Sequence, residues 1–221
     1  MIVDETLKIL NTIRGEHEAI CVSFSDGKDS RVLIDLCLRT FKRVEAFYMY
    51  FVPGLECDAE RMAQAEKRWG IQIRQYPHWV TSSAMRGGVY SFEWYKNDDI
   101  PRLDLGDIRD LAMFETNTYA AVTGAKKSDS VWRRRTMKNS RSGNVFYPLM
   151  TWGKYDVLAY LKTRGIPLPP SCGKQATGID LSTPSLLWLH DTYPNDFRKI
   201  CEYFPLAEAV VWRRKFYNVS A

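Results

Sequence analysis

The sequence predicts an α/β fold, a parallel twisted sheet with helices on both faces and a helical C-terminal tail, and three observations carry that reading. Short apolar runs of strand character alternate with helical patterns through the first 76 residues, the signature of a parallel sheet covered by helices. The 221 residues, 45% of them hydrophobic and 26% charged, are enough to bury a sizeable core. Beyond Pro167-Leu168-Pro169-Pro170 only helical patterns remain.

The elements follow in order. Leu7, Leu10 and Ile13 stand at helical spacing, and Ala19 to Phe24 (AICVSF) is a buried strand. After the break at Asp26-Gly27, Val32, Leu33, Leu36, Cys37 and Phe41 trace one helical face, and Val44 to Phe51 is the second strand. Asp58 to Trp69 reads as a helix closed by Gly70, and Ile71 to Tyr76 as a strand. From Pro77 to Pro101 periodicity is lost in an aromatic stretch, which reads as a long insertion: either a lid facing substrate or a loop pinned by buried rings. Asp107 to Glu115 returns to helix, Tyr119 to Thr123 and Phe146 to Leu149 to strand, and Tyr155 to Thr163 to helix. Three tail helices begin at Thr183-Pro184, at Asn195 and at Leu206. The expected division is a nucleotide-binding domain over 1–170 and a helical extension over 171–221.

Composition excludes several classes. The longest apolar stretches, such as Ala46 to Gly54, are too short for a membrane span, and the MIVDETLKIL start lacks the basic region of a signal peptide, so a cytoplasmic protein without membrane attachment is expected. Five cysteines without CxxC spacing argue against a disulfide framework, a zinc site and an iron-sulfur cluster. His17, His78 and His190 show no metal-ligand spacing and read as surface or packing residues. A net charge of +5 permits anionic ligands, nucleotides and nucleic acid included.

The sharpest local signal is the run Ser23 to Ser30 (SFSDGKDS), placed where a strand ends and a helix starts. Free backbone N–H groups and the positive helix end at such a junction hold phosphate. Gly27 permits a tight turn, Lys28 adds a point charge, and the hydroxyls of Ser23, Ser25 and Ser30 donate to phosphate oxygens. The common NTPase loop is excluded, because Val22 and Asp29 stand where GxxxxGK[ST] needs Gly and Ser or Thr. Lys126, Lys127 and Arg133 to Arg135 follow a strand's C-terminal end, at the rim where open α/β sheets bind ligands; the competing reading is a solvated basic face.

The run resembles the PP-loop (SGGKDS) of the ATP pyrophosphatase and phosphoadenosine phosphosulfate (PAPS) reductase superfamily, with five of six positions matched and Asp26 in place of a glycine. A carboxylate there repels phosphate unless it points elsewhere or a metal ion intervenes. Phe51 to Glu56 (FVPGLE) is similar to the DTG-type turn of the PAPS reductase branch without its acid. Thr123 to Ser130 (TGAKKSDS) is similar to TGxRxxES, with Lys126 at the Arg position and Asp129 at the Glu position. Tyr147 to Trp152 with Asp156 to Leu161 resembles the PL-W-DV-YL block. Together these segments span residues 19–170.

The resemblance implies an adenine nucleotide α-hydrolase-like, Rossmann-like fold and an enzyme. Its ECGLH cysteine motif is missing here, so the reading that follows is an ATP pyrophosphatase that adenylates an acceptor in a sulfur-transfer pathway, such as nucleic acid thiolation or DNA phosphorothioation. A divergent PAPS reductase and a non-catalytic nucleotide-binding subunit stay open. The implied nucleotide site is Ser23, Ser25, Asp26, Gly27, Lys28, Asp29, Ser30, Gly124 and Lys126, with Lys28 and Asp29 catalytic, Asp29 on magnesium, and Arg133, Arg134 and Arg135 on an anionic substrate. The implied ligands are ATP, or PAPS or adenylyl sulfate, with Mg2+; the implied partners are a sulfur-donor or electron-donor protein, with a homodimer compatible. Cys172, in the Gly- and Pro-containing stretch 167–178, is either a sulfur-carrying thiol beside Lys174 or an unreactive half-buried cysteine.

Overall fold

The computed structural model describes residues 2–92, 97–137, 141–169 and 178–217. Six strands form one sheet in the order β3-β2-β1-β4-β6-β5: β1 Ala19–Ser23, β2 Arg43–Tyr50, β3 Ile73–Pro77, β4 Ala121–Thr123, β5 Arg141–Ser142 and β6 Val145–Phe146. The pairs β1/β2, β1/β4 and β4/β6 are parallel, and β5 returns antiparallel on β6. Consecutive strand residues point to opposite faces. Because Ile20, Cys21 and Val22 of β1 are all buried, as are Ala46, Phe47 and Tyr48 of β2, the sheet is covered on both sides.

The helices are α1 Ile2–Glu16, α2 Lys28–Leu38, α3 Glu56–Trp69, α4 Trp79–Arg86, α5 Leu105–Glu115, α6 Val131–Thr136, α7 Lys154–Thr163, α8 Thr183–Thr192, α9 Pro194–Tyr203 and α10 Ala209–Tyr217. No helix among the described residues is long and apolar enough to cross a membrane.

The chain divides into two compact units. The first is 1–48, 66–74 and 109–169. In it α2 and α7 are joined by polar contacts: the Tyr160 hydroxyl donates to Asp35 Oδ2 at 2.6 Å, Arg164 Nε donates to the same oxygen at 3.1 Å, and Arg39 donates to the Tyr160 hydroxyl at 3.0 Å. Burial and the neighbouring Asp35 carboxylate push the Tyr160 phenol up to about 12. Trp152 is buried, its indole N–H donating to Thr6 Oγ1 of α1 at 2.8 Å.

The second unit is 49–65, 75–108 and 170–221, so the tail helices are grouped with the segments around α4 and the first turns of α3. Its core joins Phe51, Val52 and Leu55 to Leu186, Leu187, Leu189, Phe197, Ile200 and Phe204. Asp196, fully buried in α9, accepts from the backbone N–H groups of Glu56 at 2.8 Å and Cys57 at 2.9 Å, capping α3 from a distant part of the sequence.

Several local expectations change. The stretch 77–101 contains α4, begun by His78, whose Nδ1 accepts from Val80 N–H at 3.1 Å. Where strand was expected over 146–149 the strand is Val145–Phe146, turning back on Arg141–Ser142 through Gly143 at φ +59°. Ser130 starts the unexpected α6 by accepting from Arg133 N–H at 3.0 Å.

Candidate phosphate-binding site

β1 leads to β2 on one side of the sheet and pairs with β4 on the other. The gap between β1 and β4 is therefore a topological switch point, where loops diverge and open α/β sheets bind ligands. Ser23 and Thr123 are partners in register, so the loops after the two strands leave the sheet side by side. They stay in contact. A Cβ on Gly124 would lie 3.3 Å from the backbone carbon and from Cβ of Asp29, which leaves space there only for glycine without displacing α2.

The loop after β1 turns sharply into α2. Phe24 N–H still bonds Phe47 O at 2.8 Å, Asp26 adopts φ +56°, and Gly27 is an extended N-cap without a side-chain cap bond. The first N–H groups of α2 have no intrahelical acceptors, and the macrodipole adds positive potential. Ser30 is buried, its hydroxyl donating to Gly27 O at 2.9 Å and receiving from Ser25 Oγ at 3.4 Å, so Ser25 and Ser30 brace the turn.

Asp26 was expected beside the nucleotide. Its side chain is instead fully buried: Oδ1 accepts from Arg31 Nε at 2.8 Å and lies 2.7 Å from Arg31 Nη2. Arg31 Nη1 donates onward to Pro167 O at 2.8 Å. The carboxylate that replaces a glycine is thus neutralised inside the protein and is not offered to phosphate. Asp tolerates left-handed backbone better than most residues, which makes the substitution sterically feasible. Arg31 escapes sequence reading because a charge just before the run VLIDLCL, off the helical face traced by Val32, Leu33, Leu36 and Cys37, reads as solvated.

The structure brings Lys28, Asp29 and Lys126 together, and adds Asp129. Lys28 Nζ lies 3.0 Å from Asp29 Oδ2, and the buried Lys126 Nζ lies 2.5 Å from Asp29 Oδ1 and 3.1 Å from Asp129 Oδ1. Arg133 extends the chain, 2.7 Å from Asp129 Oδ2. Three cations alternate with two carboxylates, leaving one net positive charge. Burial works against the Asp129 charge, but hydrogen bonds from the N–H and ammonium of Lys126 and from Arg133 outweigh it and hold the carboxyl below the usual range. Arg134 and Arg135 are exposed on α6, and Arg133 is half-buried. Cys172 lies outside the described residues. Among the described cysteines, burial pushes Cys21 up to about 12 and raises Cys37 and Cys201, which suits inert thiols.

Fit to magnesium rests on Asp29. Its Oδ1 meets Lys126 Nζ at 2.5 Å and, as a carboxylate oxygen, keeps a second lone pair for a ligand. Among the described residues no three His, Cys, Asp or Glu side chains cluster as a metal site. One carboxylate suits an ion that arrives on nucleotide phosphates and keeps most of its water, which is how Mg2+ is commonly held.

Comparison with known proteins gives a family and a fold. The family model for the phosphoadenosine phosphosulfate reductase domain matches residues 19–179. No curated protein matches the sequence. Among solved structures, an NH3-dependent NAD synthetase from Campylobacter jejuni subsp. jejuni, in complex with nitrate ion, aligns over 100% of this chain and 96% of its own at 12% identity and TM-score 0.51. The U34-tRNA thiolase NcsA from Methanococcus maripaludis, with its [4Fe-4S] cluster, aligns over 94% of this chain and 79% of its own at 16% identity and TM-score 0.50. A PAPS reductase from Candida auris, in a phosphate complex, aligns over 74% and 81% at 18% identity and TM-score 0.48. At such identities the first two likenesses establish the fold alone.

Proposed function

The chain belongs to the phosphoadenosine phosphosulfate reductase domain family, and from that premise we propose that it binds ATP at the loop after β1 and acts as an ATP pyrophosphatase, adenylating an acceptor in a sulfur-transfer pathway. The observation that carries this reading is the Ser25–Ser30 turn at the uncapped start of α2, flanked by Lys28 and backed by Gly124. The first N–H groups of α2 and Lys28 take the β- and γ-phosphates, with Asp29 offering one oxygen to the magnesium carried by the nucleotide. An acceptor oxygen then attacks the α-phosphorus, the bond from that phosphorus to the bridging oxygen breaks, and pyrophosphate leaves with the electron pair. The exposed Arg134 and Arg135, with Arg133, favour an anionic acceptor such as nucleic acid. Cys172 is the proposed carrier of sulfur from a donor protein.

Product analysis tests the reading. Incubation with ATP, magnesium and candidate acceptors yields AMP-linked acceptor and pyrophosphate if the chain adenylates. Sulfite from PAPS and a thiol reductant would assign it instead to reduction, the second activity the family match supports. Tight nucleotide binding without any product would leave a binding subunit. Lys28→Ala removes a charge-assisted contact of about 1.5–3 kcal/mol and weakens triphosphate binding while leaving adenosine binding unchanged. Cys172→Ser abolishes sulfur transfer and spares ATP cleavage.

A further inference from the structure

The phosphate loop of this chain departs from its family at one residue, and the departure comes with a partner. We propose that Arg31 is a positioning residue that, paired with Asp26, locks the phosphate loop in its binding shape and ties it to the backbone at Pro167. The inference rests on the reading of the Ser25–Ser30 turn as a phosphate site.

Three observations support it. Asp26 holds the left-handed turn between β1 and α2 at φ +56°, and its side chain has no exposed surface. A charged group in that position must be answered by another charge, and the Arg31 head, only 9% exposed, answers it with both Nε and Nη2 on one carboxylate oxygen. The remaining Nη1 donates to the carbonyl of Pro167, 136 residues along the chain, so one guanidinium holds two backbone segments in a fixed relation. The fork geometry is specific to arginine; a lysine ammonium has no rigid planar fork with which to meet Asp26 and Pro167 at once. Glycine in the turn reaches the same backbone shape through conformational freedom, whereas Asp26 reaches it through a tether. This loop is therefore rigid for a different reason, and its shape depends on Arg31, the residue directly after the motif.

The test is a set of four variants: Arg31→Met, Arg31→Lys, Asp26→Asn, and the double variant Asp26→Gly with Arg31→Met, which restores the family glycine and removes the charge it no longer needs. ATP and adenosine dissociation constants are measured by calorimetry. Hydrogen–deuterium exchange is followed in peptides covering 23–32 and 164–169. Arg31→Met, Arg31→Lys and Asp26→Asn are expected to weaken ATP binding at least tenfold while changing adenosine binding less than twofold, and to speed exchange at 23–32 at least fivefold; the two Arg31 variants, which lose the bond to Pro167 O, also speed exchange at 164–169 at least fivefold. The double variant is expected to return ATP affinity to within threefold of the parent, while exchange at 164–169 stays fast because the bond to Pro167 O is gone. Unchanged ATP affinity and unchanged exchange in folded Arg31→Met would overturn the proposal, as would a double variant no better at binding ATP than Arg31→Met. Should the single variants not fold, the double variant carries the test through its ATP affinity and its 164–169 exchange. A parent protein that binds no ATP overturns the phosphate-site reading, and the exchange arm then decides the tether independently: fast exchange at 164–169 in Arg31→Met supports it, and parental exchange there refutes it.

Discussion

Two aspartate–arginine pairs in this protein meet at similar distances in opposite surroundings. Asp26 and Arg31, beside the phosphate loop, meet at 2.7 Å with side chains 0% and 9% exposed. Asp191 and Arg214 meet fork to fork, Nη1 on Oδ2 at 2.5 Å and Nη2 on Oδ1 at 2.7 Å, with side chains 50% and 31% exposed. By distance the second pair is the better one. Arg214, helped by His190, holds the Asp191 carboxyl far below the usual carboxylate range, yet solvent competes for both partners and screens them. Contact length therefore ranks these pairs in the wrong order. What separates them is the cost of leaving one member alone, which is small in water and large in a core.

The largest effect is expected where burial is complete. Arg31→Met removes the guanidinium from the buried Asp26 carboxylate and should lower unfolding free energy by about 3–5 kcal/mol in urea titrations, whereas the double variant Asp26→Gly with Arg31→Met recovers most of that loss. A double variant as unstable as the single would break the comparison, since the pair would then be worth more than the absence of a buried lone charge.

Next comes the half-buried network at Lys126. Lys126→Met leaves Asp29 and Asp129 without the ammonium between them and should cost about 1–3 kcal/mol. The sign of its pH dependence is fixed. Asp129 is held below its unfolded value, so in the parent its contribution is fully present above about pH 4 and is lost as pH falls through the lower folded value. In Lys126→Met the folded value rises, the acid window narrows, and NMR titration of the Asp129 carboxyl reads the change directly.

His78 sharpens the comparison with a group half-buried while uncharged. Burial lowers its pKa, and its ring accepts the Val80 N–H at the start of α4. As pH falls below about 6.5 the unfolded chain takes the proton first, so the contribution is complete above about pH 6.5 and declines from there down to the lower folded value. His78→Asn, which keeps a capping acceptor, should flatten that slope in melting curves taken between pH 7 and 5. The smallest effect belongs to the exposed pair: Asp191→Asn should change stability by about 0.2–1 kcal/mol, a difference that high salt removes.

The β1-turn-α2-β2 succession was legible because burial on both faces of a strand leaves an unbroken apolar run, and the phosphate turn was legible because it interrupts that run with Ser, Asp, Gly and Lys. The α4 helix was not: WVTSSAMR holds three hydroxyl residues of modest helix propensity, and its cap is a histidine. Two-residue strands such as β5 and β6 are too short for any periodicity to register. In the site, Gly124 and Lys126 could be placed beside the phosphate turn through the likeness of Thr123 to Ser130 to TGxRxxES, and strand register brings them there. The inward turn of Asp26 could not be read, because the direction of a side chain at positive φ is decided by Arg31 and by Pro167, far away in sequence.

The long-range cap on α3 bears on how the chain is made. Asp196 closes the N–H groups of Glu56 and Cys57 across 140 and 139 residues of sequence, and Phe51, Val52 and Leu55 bury against Leu186, Ile200 and Phe204 in the same core. A ribosome adding residues at about 5–20 per second releases the early half of that core on the order of ten seconds before the late half exists. Through that interval Phe51, Val52 and Leu55 lack the late side chains that cover them, and the start of α3 lacks its acceptor. The nascent chain thus carries a sticky, half-built core from the synthesis of Phe51 until Leu186, Ile200 and Phe204 emerge, which makes this segment a natural client for a holding chaperone and makes that interval the period of greatest aggregation risk.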